Sequence, residues 1–557
     1  MLSTQENQTT VIKIKLDLEK IFLMAFFGLF LYLGSGFLFD HQLSHDFPYA
    51  YLASDAFQHQ VRAESIKDAG NYKNEASYIV FGIKDAIGYY PPVLYDLSVI
   101  LSNLSGLEVY DTIYFLVFFI AGFGALVMYF IIRQFNKNVA IISLPVSVLV
   151  FAGGLYTGFT WGHWPAIIAQ AFLVCVFWYT SRAELEKSYL FLAIFLAAAF
   201  MTHTSEALFA GIYLLIFYIA SAVMARKIDF RLAKNLILGG VICLAIVSYY
   251  IVIFKQVWLP RQAYEFGVAS AWDNPTMYLS DFKFLFLLMI IGLILSIIYI
   301  KKSFVPAITS ISMVIIGLGN YFGFREKAFQ LRFFWPVFLC FFIGFAIYWL
   351  FKLVIKEWKP VYSFILSALI VIAIIINAVP FVPHYNPLKT SGIMNPYHWG
   401  IFKWIEQNTG KENTIYFFYG DIYSQDALLR NTKRTHYQVI PDDFIDAINK
   451  KEIRRFYDTE SHGDHGGGIP YKKSFLSFGS RLDEAPKGFL YGKRDICIYD
   501  YYVFDKVSRQ PVLAQYNMLI ASELQKNGSA TAVFENQVAL IMKNNNPGAD
   551  CIEQRSI

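Results

Sequence analysis

Apolar residues along this chain gather into runs of about 17 to 22, the length an α-helix needs to cross the hydrocarbon core of a bilayer. The runs fall near 21–39, 111–132, 139–157, 164–180, 188–202, 206–224, 235–254, 284–300, 304–321, 332–351 and 361–380. They make about eleven spans, an odd number that sets the two termini on opposite sides of the membrane. The fifth is the shortest, because its apolar stretch runs only from Tyr189 to Met201.

Two connections are long. The first, from Asp40 to Asp111, contains two helix-like stretches, Asp55 to Ala69 and Pro92 to Leu104. The second stretch is apolar but short for a span and predicts an interfacial helix; counted as a crossing it would invert every later loop. The other long connection runs from Lys255 to Lys283. Beyond Pro380 the pattern becomes that of a water-soluble domain, so the chain divides into a membrane part, 1–380, and a terminal domain, 381–557. In that domain Asn395 to Thr409 predicts an amphipathic helix stopped at Gly410, and Thr414 to Tyr419 a buried strand. A helix at Asp442 to Phe456, a polar loop at Asp458 to Gly468 and a strand at Asp495 to Phe504 follow. A helix at Pro511 to Lys526 and a hairpin from Thr531 to Lys543 complete a small α/β fold.

Composition agrees: 56% of the 557 residues are hydrophobic, 16% are charged, and the mean hydropathy is +0.43. The net charge of +5 is scattered over many loops, which excludes a nucleic-acid face and turns attention to sidedness. Arg133 and Lys137, Arg182 and Lys187, Arg226 to Lys234, Lys301 and Lys302, and Lys352 to Lys359 all fall in loops on one side. Lys13, Lys15 and Lys20, ahead of a retained first span, join them, while the turns at Gly158 to Pro165 and Thr202 to Glu206 hold no cation. The basic side is therefore expected to be cytoplasmic, and the terminal domain extracytoplasmic. Cys175, Cys243 and Cys340 lie in apolar segments; Cys497 and Cys551, in the terminal domain, read either as a disulfide or as two free small hydrophobes.

Candidate chemistry lies on the outer side. Asp55, His59 and Arg62 are spaced by four and three and so share one helical face. A carboxylate there can take a proton from a hydroxyl, while His59 and Arg62 steer an anion. By spacing alone the same stretch also reads as a solvated helix with ordinary i, i+4 pairs. Asp40 and Asp46 lie just upstream. His163 and the pair His203 and Glu206 occupy the two short outer turns; Trp161 and Trp164 beside His163 read as interface anchors. Arg325 and Arg332, together with Lys255 and Arg261, place cations on the side that otherwise lacks them; guanidinium forks match phosphate oxygens, and a plain outer-leaflet contact or a pair with Glu326 is the other reading. His462, Asp464 and His465 sit in a glycine-rich run that reads as a polar loop ahead of a metal site.

An acidic residue in the first outer loop, then Tyr89-Tyr90-Pro91-Pro92 before an apolar helix and a turn at Gly106, resembles the polyprenyl-phosphate-dependent membrane glycosyltransferases of the GT-C fold. The resemblance covers the layout of the whole chain and includes Phe402 to Thr409 and Val533 to Ile541 as the opening helix and closing hairpin of the outer domain. It implies a polytopic α-helical fold with an outer α/β domain. It also implies transfer of a sugar, with inversion, from a polyprenyl-phosphate donor to a lipid, glycan or protein acceptor. Asp55 would be the base or metal ligand, with Asp40 and Asp46 as rivals, and Arg332 the phosphate ligand. A divalent ion, Mg or Mn, would be the possible cofactor. The Trp-Trp-Asp signature of oligosaccharyltransferases is missing, Ala271-Trp272-Asp273-Asn274 being a poor match, which disfavours transfer of whole glycans to asparagine. A lipid-linked-sugar flippase, or a scaffold with an outer binding domain, are the alternative functions.

Overall fold

The structure, a computed structural model, describes residues 17–80, 88, 90–183, 187–253, 282–319, 331–378, 394–423, 426–439, 441–451, 454–459, 492–508 and 510–553. The apolar runs are helices. α1 (Leu18–Phe39) starts where the Asp17 carboxylate accepts from the Lys20 N–H (2.9 Å), and it ends at Asp40 in the left-handed region. The first long connection carries α2 (Ser54–Ala69) and α3 (Val93–Ser105), each closed by a left-handed glycine, Gly70 and Gly106. Ile100 and Leu104 on α3 are exposed. α4 (Val109–Arg133) follows, and then α5 (Lys137–Ser143), which tightens into a 3₁₀ helix over Leu144–Phe151.

The continuous span expected at 139–157 is broken: residues 137–151 and 154–160 bend by 70° against each other. Pro145 withdraws a backbone donor where α5 passes into the 3₁₀ helix, and Gly153-Gly154 frees the chain at the bend itself. Next come α6 (Trp164–Thr180), α7 (Ser188–Phe200), α8 (Thr204–Ala225), α9 (Phe230–Ile246), α10 (Leu285–Ile298), α11 (Phe304–Gly317), α12 (Cys340–Val354) and α13 (Pro360–Ala378). Turns at Leu331–Phe334 and Trp335–Phe338 lead into α12.

By length and composition five of the described helical segments can cross a bilayer, Leu18–Phe39, Val109–Arg133, Thr204–Ala225, Leu331–Val354 and Pro360–Asn377, or six if the bent pair is one span. Shorter apolar helices, α3, α6, α7, α10 and α11, accompany them. The protein is a multi-pass membrane protein. At one end of the bundle the buried Glu19 accepts from the Tyr129 hydroxyl (2.7 Å) and from Arg133, and pairs with Lys137 at 2.6 Å, which ties α1 to α4 and α5. α10 and α12 approach so closely that a Cβ on Gly292 would meet the Phe342 carbonyl oxygen.

The terminal domain opens with α14 (Pro396–Asn408), whose first turn the Asn395 side chain caps (2.9 Å to the His398 N–H). Its sheet has seven strands in the order β4-β3-β2-β1-β5-β7-β6: β1 (Thr414–Phe417), β2 (Thr435–Val439), β3 (Arg455–Thr459), β4 (Gly492–Asp495), β5 (Tyr501–Asp505), β6 (Ala530–Glu535) and β7 (Ala539–Asn544). β2, β1 and β5 run parallel, and the outer pairs are antiparallel. α15 (Pro441–Lys450) stops short of the helix expected to Phe456, because Arg455 to Thr459 pair with β2 and β4 instead. α16 (Pro511–Lys526) follows β5. Strand alternation decides the packing: Ile415, Phe417, Tyr501 and Val503 face α14 and share one apolar core with the membrane helices. Tyr416, Phe418, Tyr502 and Phe504 face α16. The expected boundary at 380 lies outside the described residues, as do residues 460–468 of the loop expected from Asp458, whose first two residues belong to β3 instead, and nearly all of 255–283.

Cys497 and Cys551 form a disulfide (Cα–Cα 5.3 Å), and Cys175, Cys243 and Cys340 are free. Non-reducing peptide mapping of protein from intact cells is expected to recover the 497 and 551 peptides as one cross-linked species. Two separate alkylated peptides would show the pair reduced.

Candidate functional site

The N-terminal end of α2 is seated on the turn between the bent segment and α6. The Leu52 N–H donates to the Thr160 carbonyl (2.9 Å), and Gly162 (φ +95°) leaves so little room that a Cβ would lie 2.2 Å from the Ala56 nitrogen and 2.6 Å from the Asp55 carbonyl carbon. Only glycine supplies both that φ and that approach. Asp55, in the first turn of α2 and partly exposed, therefore stands directly over this turn.

One helical turn further on, His59 is 8% exposed and its Nδ1 is hydrogen-bonded with the Tyr95 hydroxyl on α3 (2.8 Å). Arg62 pairs with Glu75, both buried, and its guanidinium lies 4.1 Å from the centre of the Tyr90 ring. The expected face of α2 thus exists, and α3 and the Tyr90 segment cover it.

The two short turns at 158–165 and 202–206 join the same region. His163 caps α6 and its ring stacks on Phe333 (centroids 4.7 Å apart, 21° between planes). Arg332, the neighbour of Phe333, brings its guanidinium against Gly154 at the break in the bent span. His203 caps α8 and pairs with Glu206, which is fully buried and also accepts from Gln170 Nε2 (3.0 Å). The Val93 N–H donates to the Met201 carbonyl (3.0 Å), fastening α3 to this second turn. Asp55, His59, Arg62, His163, His203, Glu206 and Arg332 consequently lie around one end of the helix bundle.

Other expected residues are placed differently. Asp40 and Asp46 are exposed near the end of α1, beside a separate pair in which Asp111 accepts from His45 at its ring (3.0 Å) and backbone (3.0 Å). His45 is stacked between Phe39 and Tyr49 and fastens the loop to α4. Arg261 and Arg325 lie outside the described residues. Trp161 is exposed, but Trp164 is not an anchor: it is fully buried against Tyr51 and Tyr114, with its indole N–H donating to the Phe159 carbonyl. Among the described residues no three His, Cys, Asp or Glu side chains converge on a metal-binding geometry, so no step is assigned to a divalent ion.

No family model matches the chain, and no curated protein matches it in sequence. Solved structures do. ArnT from Cupriavidus metallidurans in the apo state superposes with a TM-score of 0.55 at 11% identity, covering 94% of this chain and 98% of that one. The apo oligosaccharyltransferase of Archaeoglobus fulgidus gives 0.51 at 10% identity, covering 89% and 72%. This chain has the GT-C fold. The likeness extends over the membrane helices and the terminal α/β domain together. At such identity it is a likeness of architecture, so the chemistry of this chain is read from its own side chains.

Burial, followed by the neighbouring Arg62, His203 and His163, pushes the His59 imidazole down to about 3. His59 is therefore neutral at physiological pH, and of the α2 pair expected to steer an anion only Arg62 carries charge. In the unfolded chain the ring regains its ordinary value near 6.5, so the unfolded state binds the extra proton below that pH. Stability contributed by neutral His59 is complete above about pH 6.5 and is lost as pH falls toward 3, by up to about 1.4 kcal/mol per pH unit. His59→Gln is expected to flatten the fall in unfolding midpoint between pH 7.5 and 5; an unchanged slope would assign it to other groups.

Signals for the missed partners were thin. Glu75 has no helical relation to Arg62, and Tyr95 pairs with His59 only through the fold. Gln170 was visible as a polar residue inside an apolar run, which is costly unless satisfied.

Proposed function

We propose that this chain is a membrane glycosyltransferase that moves a sugar from a polyprenyl-phosphate carrier to a lipid, glycan or protein acceptor on the extracytoplasmic face. The observation that carries the reading is the gathering of Asp55, Arg62, His163, the His203–Glu206 pair and Arg332 at the end of the bundle where the outer domain docks. Asp55 takes the proton from the acceptor hydroxyl as its oxygen attacks the anomeric carbon. The bond from that carbon to the phosphate oxygen breaks, and the electron pair leaves with the polyprenyl phosphate. Arg332, with Arg325 and Arg261 as further candidates, meets the charge that builds on the phosphate. Attack opposite the leaving group inverts the anomeric centre. Glu206, bound by both His203 and Gln170, holds the second turn in place instead of acting as the base.

The topology that goes with this reading has about eleven spans, a cytoplasmic N-terminus and an extracytoplasmic outer domain. The placement of Arg133 and Lys137 at one pole and the Cys497–Cys551 disulfide in the outer domain both support it. The test is transfer of labelled sugar from synthetic polyprenyl-phosphate sugars to membrane extracts by the purified full-length protein, together with a glycolipid and glycoprotein profile of a deletion strain. A sugar missing from the profile and restored in vitro supports the proposal. An unchanged profile with no transfer from any donor overturns it.

A further inference from the structure

We infer that the outer domain sets the position of α2 through Lys433, a positioning residue that holds the Asp55 helix from the side opposite the candidate site. This rests on the proposed function only in taking Asp55 as the base; the mechanical claim stands apart from it.

α2 has two working faces. Glu64 lies nine residues beyond Asp55, half a turn out of phase in a helix of 3.6 residues per turn, and Asp68 lies one turn further on the same side. Glu64 and Asp68 therefore face away from the Asp55, His59 and Arg62 side and toward the outer domain. There the Lys433 ammonium lies 2.9 Å from Asp68 Oδ2, 3.2 Å from Glu406 Oε1 and 3.5 Å from Glu64 Oε2. Asp68 also accepts from the Tyr78 hydroxyl (2.9 Å).

The lysine is mounted rigidly. Its backbone adopts the left-handed conformation (φ +53°) at the close of a turn, and its N–H donates to the Arg430 carbonyl (3.0 Å). The next residue, Arg434, donates to the Glu406 and Thr409 carbonyls (2.6 Å each) and to the Thr409 hydroxyl (2.9 Å), fixing this turn to the end of α14. A lysine on such a mount transmits the position of the domain to whatever it binds.

Electrostatics give the contact direction. Burial opposes the charge on Lys433, but Glu64, Asp68 and Glu406 outweigh it and hold the ammonium well above the ordinary lysine range. Burial raises the Glu64 carboxyl while Lys433 opposes the rise. With Lys433 gone, three carboxylates would face one another with Lys403, 2.8 Å from Glu406, as the nearest remaining ion-pair partner. Repulsion would lever the C-terminal half of α2 off the domain. Its N-terminal end has no side-chain cap from Ala53 and relies on the seat at Gly162.

The experiment is hydrogen exchange on the full-length protein in detergent, comparing wild type with Lys433→Met and Lys433→Arg. In Lys433→Met, amides of residues 54–69 are expected to exchange at least ~10-fold faster while those of α4 and β5 keep their rates, and Lys433→Arg is expected to restore protection. Unchanged protection over 54–69 in Lys433→Met overturns the inference. So does a uniform loss over all elements in both variants, which would mark a merely structural residue. Where transfer is measurable, Lys433→Met is expected to lower kcat with the donor KM unchanged, and a rise in KM alone would count against positioning. Because exchange is read without substrate, the inference can fail or hold independently of the glycosyltransferase reading.

Discussion

Asp55→Asn is expected to reduce the rate of sugar transfer by about 100-fold or more while the protein inserts and unfolds as wild type does. The carboxamide keeps the shape of the side chain at the start of α2 but cannot accept the acceptor's proton, and general-base assistance contributes on the order of 10²–10⁴ in rate. Asp40→Asn and Asp46→Asn supply the comparison. Both carboxylates are exposed near the end of α1, outside the turn that seats Asp55, and both variants are expected to stay within about twofold of wild type. Initial rates with a polyprenyl-phosphate sugar donor decide the matter. Full activity in Asp55→Asn with loss in either of the others would move the base to the end of α1.

Gly162→Ala is expected to be nearly as damaging, for a reason that does not involve proton transfer. At φ +95° an alanine pays backbone strain of about 1–3 kcal/mol. The added carbon would also overlap the Ala56 nitrogen at 2.2 Å, a backbone atom that cannot swing aside as a side chain can. Either the turn or the first turn of α2 must move. Thermal unfolding in detergent should show a midpoint lowered by several degrees, and transfer should be lost although Asp55 is intact. A variant with a wild-type midpoint and rate would mean that the approach of this turn to α2 is loose.

Much of this was legible in the linear pattern. Each apolar run is helical because its length and composition leave the backbone no better way to satisfy its hydrogen bonds in a bilayer. The face joining Asp55, His59 and Arg62 followed from spacing, and so did the order of strands and helices at the start and end of the outer domain. Three features were not readable. The break in the third run depends on Pro145 and two glycines inside an otherwise uniform apolar stretch, where hydropathy is blind to backbone conformation. Residues 455 and 456 continue the pattern of the preceding helix and 458 and 459 open a polar stretch, yet 455–459 become an inner strand because β2 and β4 offer pairing partners from distant positions. The neutrality of His59 depends first on burial by elements distant in sequence, and only then on its helical neighbour Arg62. The candidate site as a whole is built from single residues near positions 55, 62, 163, 206 and 332, which explains why no contiguous motif announces it.

The Cys497–Cys551 bridge carries a consequence for how the protein is made. It links the turn before β5, a central strand, to the last described stretch of chain, 54 residues later. A thiol pair closes into such a bridge only where an oxidant reaches it. On the topology proposed above, the terminal lobe would complete its covalent structure only after export, and protein retained on a reducing side would be expected to lack the bridge even when its membrane helices are correctly inserted.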